Sequence, residues 1–354
     1  MQLILEETLG HFEKLDIIQK LIVKLITNEY FAWTCLVLIV SQNNWKRPIN
    51  FLLILHWLLR SIGDMFLNSF GLFEKENKIF PFSNKGSLYG FGVASIFWYS
   101  GEIIGDWYFL IRSKVLVRNK KKLRWVFYIC LGYNLVKIAQ IFIFLSFVPF
   151  PKGYSDTDPI QESYVTLNIG KHTFRKWVDV ALQQIFSLAY DISVIIVLKN
   201  NVFNKMKNLN INENKENTFL IKFKQISEYR IYMSILVTII GAPFIFGFCL
   251  EILYLVNQEY PIEDFERIKK LQVYSSEVNV EGIRVCILTF NYMFMYIDQI
   301  LLRFFVEDNK PQKKISNSYT YNKNSSHNYN MVYHKFLNYD ELEKQNLNNF
   351  SVSK

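Results

Sequence analysis

The sequence predicts an all-α polytopic membrane protein, a bundle of seven transmembrane helices with its amino terminus outside and its carboxyl terminus in the cytosol. Of the 354 residues 51% are hydrophobic, and the 31 Phe and 21 Tyr exceed what ordinary soluble domains carry. Apolar residues are concentrated in segments of about 20 residues, the length at which a helix crosses a bilayer with its backbone satisfied internally. The loops between these segments alternate in charge.

Seven segments have this length and polarity. The first is the weakest, because Lys24 and Glu29 lie inside it, and it crosses only if the Lys24 side chain reaches the interface. Residues 1–20 place apolar side chains at steps of three and four, which is typical of an amphipathic helix that lies on the membrane or extends the first span. In chain order the predicted spans are 21–41, 49–72, 88–111, 125–150, 177–198, 231–256 and 282–305.

Six loops join the predicted spans, and their charge alternates. Loops one, three and five together carry sixteen Lys or Arg against three acids, whereas loops two, four and six carry ten against eleven. Basic loops stay in the cytosol, so we expect the odd-numbered loops and the carboxyl tail there. Residues 21–307 form the predicted bundle. Residues 308–354, rich in Asn, Ser, Tyr and Lys, are expected to be a disordered cytosolic tail.

Loop three carries the densest run of positive residues in the chain. The formal net charge of the whole chain is +9. In a soluble protein such a charge would favour nucleic acid, but here the asymmetry of the loops explains it, and we expect no nucleic-acid partner. We expect these side chains to contact anionic lipid of the cytoplasmic leaflet, and a cytosolic signalling protein is a second candidate partner. They are Arg112, Lys114, Arg118, Lys120, Lys121, Lys122 and Arg124.

Ionisable residues inside the predicted spans form the candidate site, because such groups are costly at membrane depth. From depth alone we expect Lys137 to pair with Glu102 or Asp191, and Arg60 to pair with Asp298 or Glu102. Acids outnumber bases, so some carboxylates are expected to be protonated, to bind a cation or to face water. The alternative is that these groups only fix helix register. The full set is Arg60, Asp64, Glu102, Asp106, Lys137, Asp191, Glu251 and Asp298.

Residue types that indicate a metal or cofactor site are scattered along the chain. The five His and four Cys show no zinc-binding spacing, and there is no phosphate-binding loop or nucleophile elbow. We therefore expect no metal and no cofactor, and the sequence leans away from an enzyme. Pro243 in the sixth predicted span is a predicted kink and hinge.

Two stretches resemble known families. SIGDMFL, residues 61–67, resembles a SerXaaXaaGlyAsp stretch of the lysoplasmalogenase family of membrane hydrolases, which implies a catalytic Asp64. GDWYFLIRSK, residues 105–114, is similar to a group of seven-span fungal proteins without an assigned activity. The whole arrangement resembles that of G-protein-coupled receptors, with Asp106-Trp-Tyr where the rhodopsin-like family carries AspArgTyr.

These observations favour a receptor-like membrane protein, in the plasma membrane or an endomembrane, that senses a stimulus between the outer helix ends around Asp64 and Glu251. The charged layer would change state, and loops three and five would signal that state to the cytosol. One alternative is a proton- or ion-coupled transporter in which midplane acids bind the ion. A third is a membrane-embedded lipid hydrolase using Asp64. The ligand is not indicated by the sequence.

Overall fold

The computed structural model describes residues 2–41, 46–116, 120–155, 158–198, 218–257 and 276–308, and every regular element in these ranges is helical. A 3-10 turn, Asn68–Leu72, prolongs the third helix, and a π-helical turn, Leu88–Val93, leads into the fifth. In chain order the helices are α1 (Gln2–Thr27), α2 (Phe31–Ser41), α3 (Pro48–Leu67), α4 (Asn84–Ser87), α5 (Ala94–Leu116), α6 (Lys120–Leu145), α7 (Pro159–Leu198), α8 (Thr218–Asn257) and α9 (Val278–Asp308).

Long apolar helices dominate the described part of the chain. Five of them are long and apolar enough to cross a membrane, and they coincide with predicted spans two, four, five, six and seven. A sixth crossing is formed if α1 and α2, bent by 46° relative to each other, make one broken span. The all-helical class is confirmed, and the chain is an integral membrane protein. The five stretches are Pro48–Leu72, Leu123–Leu145, Pro159–Val197, Tyr229–Asn257 and Val278–Arg303.

The helix at the third predicted span, α5, is not among these five. Its acids Glu102 and Asp106 lower its mean hydropathy, because each replaces an apolar side chain near the middle of the helix. The helix is nevertheless enclosed, since Tyr99, Glu102, Asp106 and Tyr108 are each at most 3% exposed. Helix α5, with its two buried acids, is thus enclosed by helices of higher mean hydropathy. Its crossing, and with it the count of seven spans, stays a prediction, as does the orientation of the termini.

Two glycines allow α5 to pack tightly against its neighbours. A Cβ on Gly101 would lie 3.2 Å from the Arg60 side chain of α3, and one on Gly105 would lie 2.6 Å from Tyr292 and 3.2 Å from His56. Gly101 and Gly105 are four residues apart and therefore share one helix face. Small residues at this spacing let membrane helices approach closely, because packing replaces the hydrophobic effect there.

The first predicted span is not one continuous helix. Helix α1 ends at Thr27 and α2 begins at Phe31, and between them the Asn28 side chain accepts a hydrogen bond from the Tyr30 amide at 3.0 Å. Because α2 has 11 residues, it measures about 16 Å and is too short to cross the ~30 Å hydrocarbon layer alone. The span predicted over 21–41 therefore corresponds to a pair of helices with a break between them, and its crossing of the membrane stays a prediction.

Contacts between connecting segments define the two ends of the bundle. The Asn84 side chain exchanges hydrogen bonds of 2.9 and 3.0 Å with the backbone of Phe150, and the indole of Trp177 donates to Glu277 at 2.8 Å. We call this the loop-four end. The opposite end, where α5 and α7 terminate and α6 and α8 begin, is the loop-five end. A Cβ on Gly71 would lie 2.8 Å from Ile17, so α1 lies at the loop-four end.

Two helices are much longer than their predicted spans. Helices α7 and α8 have 40 residues each, about 60 Å at 1.5 Å per residue, or twice the hydrocarbon thickness. Helix α7 therefore extends at the loop-four end and α8 at the loop-five end. Pro243 lies inside α8, which continues on both sides of it, so a hinge there stays a prediction.

The outer surface of the bundle is apolar, and much of its interior is polar. Along α8 the exposed side chains include Ile239, Phe244 and Leu250, with exposed fractions between 55% and 65%. In contrast, Lys137 and Glu102 are at most 1% exposed. This distribution is the one expected when lipid, rather than water, covers the helices.

Candidate functional site

Lys137 of α6 is the centre of a buried ion-pair cluster. Its Nζ lies 2.7 Å from Asp106 Oδ2 and 3.4 Å from Glu102 Oε2. It also donates a hydrogen bond of 2.9 Å to the Tyr292 hydroxyl of α9, and the Tyr133 ring lies 4.1 Å from the ammonium group. The two carboxylates are four residues apart on α5, so one ammonium group contacts two successive turns of that helix.

Arg60 of α3 extends the cluster to a fourth helix. Its NH1 atom lies 3.0 Å from Glu102 Oε1, so this carboxylate is shared between Arg60 and Lys137. The Tyr292 hydroxyl in turn donates to Asp106 Oδ1 at 3.2 Å. We call Arg60, Glu102, Asp106, Lys137 and Tyr292 the central network. It joins α3, α5, α6 and α9, and its two cations balance its two carboxylates.

The partners expected from depth are only partly those in the structure. Of the two expected for Lys137, Glu102 is within ion-pair distance and Asp191 lies elsewhere, while Asp106 makes the shortest contact. Asp191 instead accepts a hydrogen bond of 2.6 Å from Ser234 of α8. Depth assigns residues to a layer of the bundle but not to a face of a helix, so it cannot choose between carboxylates in the same layer.

A second ion pair lies nearer the loop-five end. Arg230 of α8 places NH1 3.0 Å from Asp298 Oδ2 of α9, and the Tyr108 hydroxyl of α5 donates to the same oxygen at 2.8 Å. Asp298 therefore pairs with Arg230, and of the two partners expected for Arg60 the structure shows Glu102. Sequence reasoning missed Arg230, because the predicted span began at residue 231 and left this arginine in loop five.

A third cluster lies at the loop-four end, on α7, α9 and the segment just before α9. Lys176 lies 2.9 Å from Glu277 and 3.3 Å from Glu281, and Arg284 pairs with Glu281 at 2.6 Å. Trp177 donates to Glu277. The predicted boundaries at 177 and 282 placed Lys176 and Glu281 one residue outside the predicted spans, so hydropathy gave no reason to pair them.

Asp64 of α3 links the break between α1 and α2 to α5 by hydrogen bonds. Its Oδ2 accepts a hydrogen bond of 2.8 Å from the Asn28 amide, and its Oδ1 accepts one of 2.7 Å from the Trp98 indole of α5. Both carboxylate oxygens are thus engaged by neutral donors. This geometry describes a structural tie between the break, α3 and α5. It gives no support to the catalytic role that the lysoplasmalogenase resemblance implies for Asp64.

The other expected site residues lie apart from the central network. Glu251 is on the exposed surface of α8. Lys114 and Arg124, at the loop-five ends of α5 and α6, are exposed, as contact with lipid head groups or a partner requires. Arg118 lies outside the described residues, as do the side chains of Arg112, Lys120, Lys121 and Lys122.

Tyrosines, for which no role was predicted, complete the polar interior. The Tyr292 hydroxyl contacts both carboxylate-bearing turns of α5, and the Tyr190 hydroxyl donates to the Asp106 backbone carbonyl at 3.0 Å. Tyr296 donates to the Leu53 carbonyl at 3.0 Å. A signal existed in the stretch from Asn291 to Tyr296, where two tyrosines four residues apart share one face of α9.

No family model, curated protein or solved structure matches this chain. Over the described residues, no group of three or more His, Cys, Asp and Glu has an arrangement that could hold a metal ion. The arrangement instead places paired charges in three layers along the bundle. Paired charges of this kind can hold helices in one arrangement and release them together.

Proposed function

We propose that this integral membrane protein is a receptor-like seven-helix protein. It senses a stimulus at the loop-four end and signals through the basic segments at the loop-five end. The observation that carries the proposal is the central network, in which Lys137 binds Glu102 and Asp106 while Arg60 binds Glu102. Anionic lipid and a cytosolic signalling protein are the proposed partners of the basic segments, including Lys114 and Arg124.

A balanced buried network favours two discrete states over gradual movement. Breaking a buried ion pair by removing one partner costs about 3–5 kcal/mol, because the other charge is left uncompensated. A small displacement of α5 from α6 would impose such a cost unless Lys137 found new partners. The helices therefore keep one arrangement until a stimulus stabilises another, which is the property a switch needs.

Helix α9 supplies a route between the two ends. It contributes Glu281 and Arg284 to the cluster at the loop-four end, Tyr292 to the central network and Asp298 to the ion pair nearer the loop-five end. A shift of this one helix would alter all three layers. We propose that such a shift carries the signal.

A second candidate function is an ion-coupled transporter. The observation in its favour is the break between α1 and α2, because discontinuous helices line the ion sites of many transporters. Asp64 lies at this break, and its carboxylate oxygens accept hydrogen bonds from neutral donors, so among the described residues no Lys or Arg forms an ion pair with it. The balanced charges of the central network favour the receptor-like proposal instead, since no carboxylate in it is left to bind an ion.

Distances measured across the loop-five end test the switch. Spin labels at positions 114 and 229, both exposed, would be placed in full-length protein in lipid nanodiscs, with the four native cysteines replaced. The variant Asp106→Asn removes the carboxylate that lies closest to the Lys137 ammonium group. We therefore expect a second population of distances between the two spin labels. The matched control Glu251→Gln removes an exposed carboxylate outside the central network. Its distance distribution is expected to be the same as that of the parent protein.

Two outcomes would count against the proposal. The first is a distance distribution for Asp106→Asn that is identical to that of the folded parent. The second is proton uptake into liposomes carrying the protein that is abolished by Glu102→Gln but not by Glu251→Gln, which would establish the transporter instead.

A further inference from the structure

Several buried polar atoms beneath the break between α1 and α2 have no hydrogen-bond partner among the described residues. They are the Tyr30 hydroxyl, Nε2 of His56 and Nε of Arg60. Each of these side chains is at most 5% exposed. A buried polar atom without a partner costs about 1–3 kcal/mol, so three unpartnered atoms on neighbouring side chains call for a common explanation.

These atoms lie together. The His56 ring centroid is 4.8 Å from that of Tyr30 and 4.8 Å from that of Tyr292. His56 and Arg60 are one turn apart on α3, and both contact the glycine face of α5, His56 at Gly105 and Arg60 at Gly101. The unpartnered nitrogens of His56 and Arg60 therefore lie along one seam between α3 and α5.

The two nitrogens have complementary chemistry. The Tyr296 hydroxyl donates to the Leu53 carbonyl at 3.0 Å, so it accepts from His56 Nδ1, which lies 2.9 Å away. A neutral His56 then has an unprotonated Nε2, which is an acceptor, whereas Nε of Arg60 is a donor. A charged imidazole would add a third cation beside Arg60 and Lys137 in a network that is already balanced. The neutral form is the one consistent with the surrounding charges.

We propose that ordered water occupies this place, accepting from Arg60 Nε, donating to His56 Nε2 and hydrating the Tyr30 hydroxyl. Water both donates and accepts, and a buried water typically makes about three hydrogen bonds to otherwise unpartnered groups. We call Tyr30, His56 and Arg60 the hydrated site. Because Arg60 belongs also to the central network, the site extends that network by hydrogen bonds to the break at Tyr30.

The surface near Tyr30 supplies the entry for solvent. Its neighbour Glu29 is exposed, and the half-buried Thr289 of α9 donates to the Glu29 carboxylate at 3.4 Å. The helix is interrupted between Thr27 and Phe31, and irregular backbone of this kind is tolerated in membrane proteins where it lines water or is covered by protein. Water reaches the site at this break, without opening the loop-five end.

Radiolytic hydroxyl footprinting of the full-length protein in nanodiscs tests the hydrated site. Radicals formed from a bound water oxidise adjacent side chains even when bulk solvent does not reach them. We expect oxidation of Tyr30 and His56 at least several-fold faster than of Trp177. Trp177 is a stringent reference, because it is fully buried, its indole nitrogen is already bonded to Glu277, and tryptophan is intrinsically at least as reactive.

Two results would overturn the hydrated site. Equal and low oxidation of Tyr30, His56 and Trp177 would show that the place is dry. Equal oxidation of Tyr30 and of Val37, a buried apolar residue of α2, would show that transient opening of α2 admits bulk solvent instead. Neither result bears on the distance measurement at the loop-five end, so this inference and the proposed function can fail separately.

Discussion

At the scale of single residues, Lys137 determines whether the buried charges are tolerable. Its ammonium group is within ion-pair distance of Glu102 and Asp106, and Tyr292 and Tyr133 surround the rest of it. Each carboxylate would be very costly in this environment without a cation. Lys137 therefore stabilises the fold as well as the proposed switch.

Replacing this lysine gives the first prediction. Lys137→Met should lower the free energy of unfolding by about 3–5 kcal/mol, because two carboxylates then share the single cation Arg60. Adding Asp106→Asn leaves one carboxylate with that cation and should restore part of the loss. The measurement is thermal or chemical unfolding in a fixed detergent, with Lys85→Met, which changes an exposed lysine, as the control. Equal stability of Lys137→Met and the parent would contradict the network.

The sequence predicted this layer and part of its pairing, since Glu102 was an expected partner of both Lys137 and Arg60. Glu102, Lys137 and Arg60 could be placed near one depth, because hydropathy fixes the middle of each span. The choice of Asp106 over Asp191 depends on which face of each helix is turned inward. That is decided by packing against neighbours, including the approach of α5 that Gly105 permits, and a single sequence does not show it.

At the scale of helices, the close packing of α5 against α9 and α3 depends on the absence of side chains at two glycines. A Cβ at Gly105 would lie 2.6 Å from the Tyr292 ring, closer than such contacts allow, whereas nothing lies within 4 Å of the corresponding position at Gly247 of α8. The stretch Gly101 to Gly105 has the spacing of small residues that membrane helices use for close packing, a signal that was present in the sequence.

These two glycines give a matched pair of substitutions. Gly105→Ala should destabilise the protein by about 1–3 kcal/mol, because the extra methyl group forces Tyr292 and α5 apart. Gly247→Ala should be neutral or slightly stabilising, since alanine favours helix and meets no neighbour there. Unfolding midpoints of both variants in the same lipid check this. A Gly105→Ala variant as stable as Gly247→Ala would show that α5 does not pack closely against Tyr292 and His56.

Hydropathy predicted the membrane part of the long helices and little beyond it. It located α3, α6, α7, α8 and α9, but it could not show that α7 begins at Pro159, well before its apolar stretch. It also missed the break between α1 and α2, because that break depends on the Asn28 cap and on the contact of Asn28 with Asp64. Long-range side-chain contacts of this kind leave no periodic pattern.

At the scale of the whole molecule, the proposed function requires that α5 crosses the membrane. The five apolar helices establish a membrane protein, but the central network is formed on a helix whose own hydropathy does not mark it as a span. If α5 crosses, the network lies inside a seven-helix bundle that connects two sides. The orientation rests on the charge of the loops alone.

The most direct test is therefore the sidedness of the two ends of α5. Single cysteines would be introduced by Lys85→Cys, just before α5, and Lys114→Cys, at its far end, both at exposed positions in a background without native cysteines. An impermeant thiol reagent applied to intact cells should label position 85 and should label position 114 only after the membrane is permeabilised. Labelling of both positions from the same side would contradict the seven-helix bundle and the receptor-like function proposed from it.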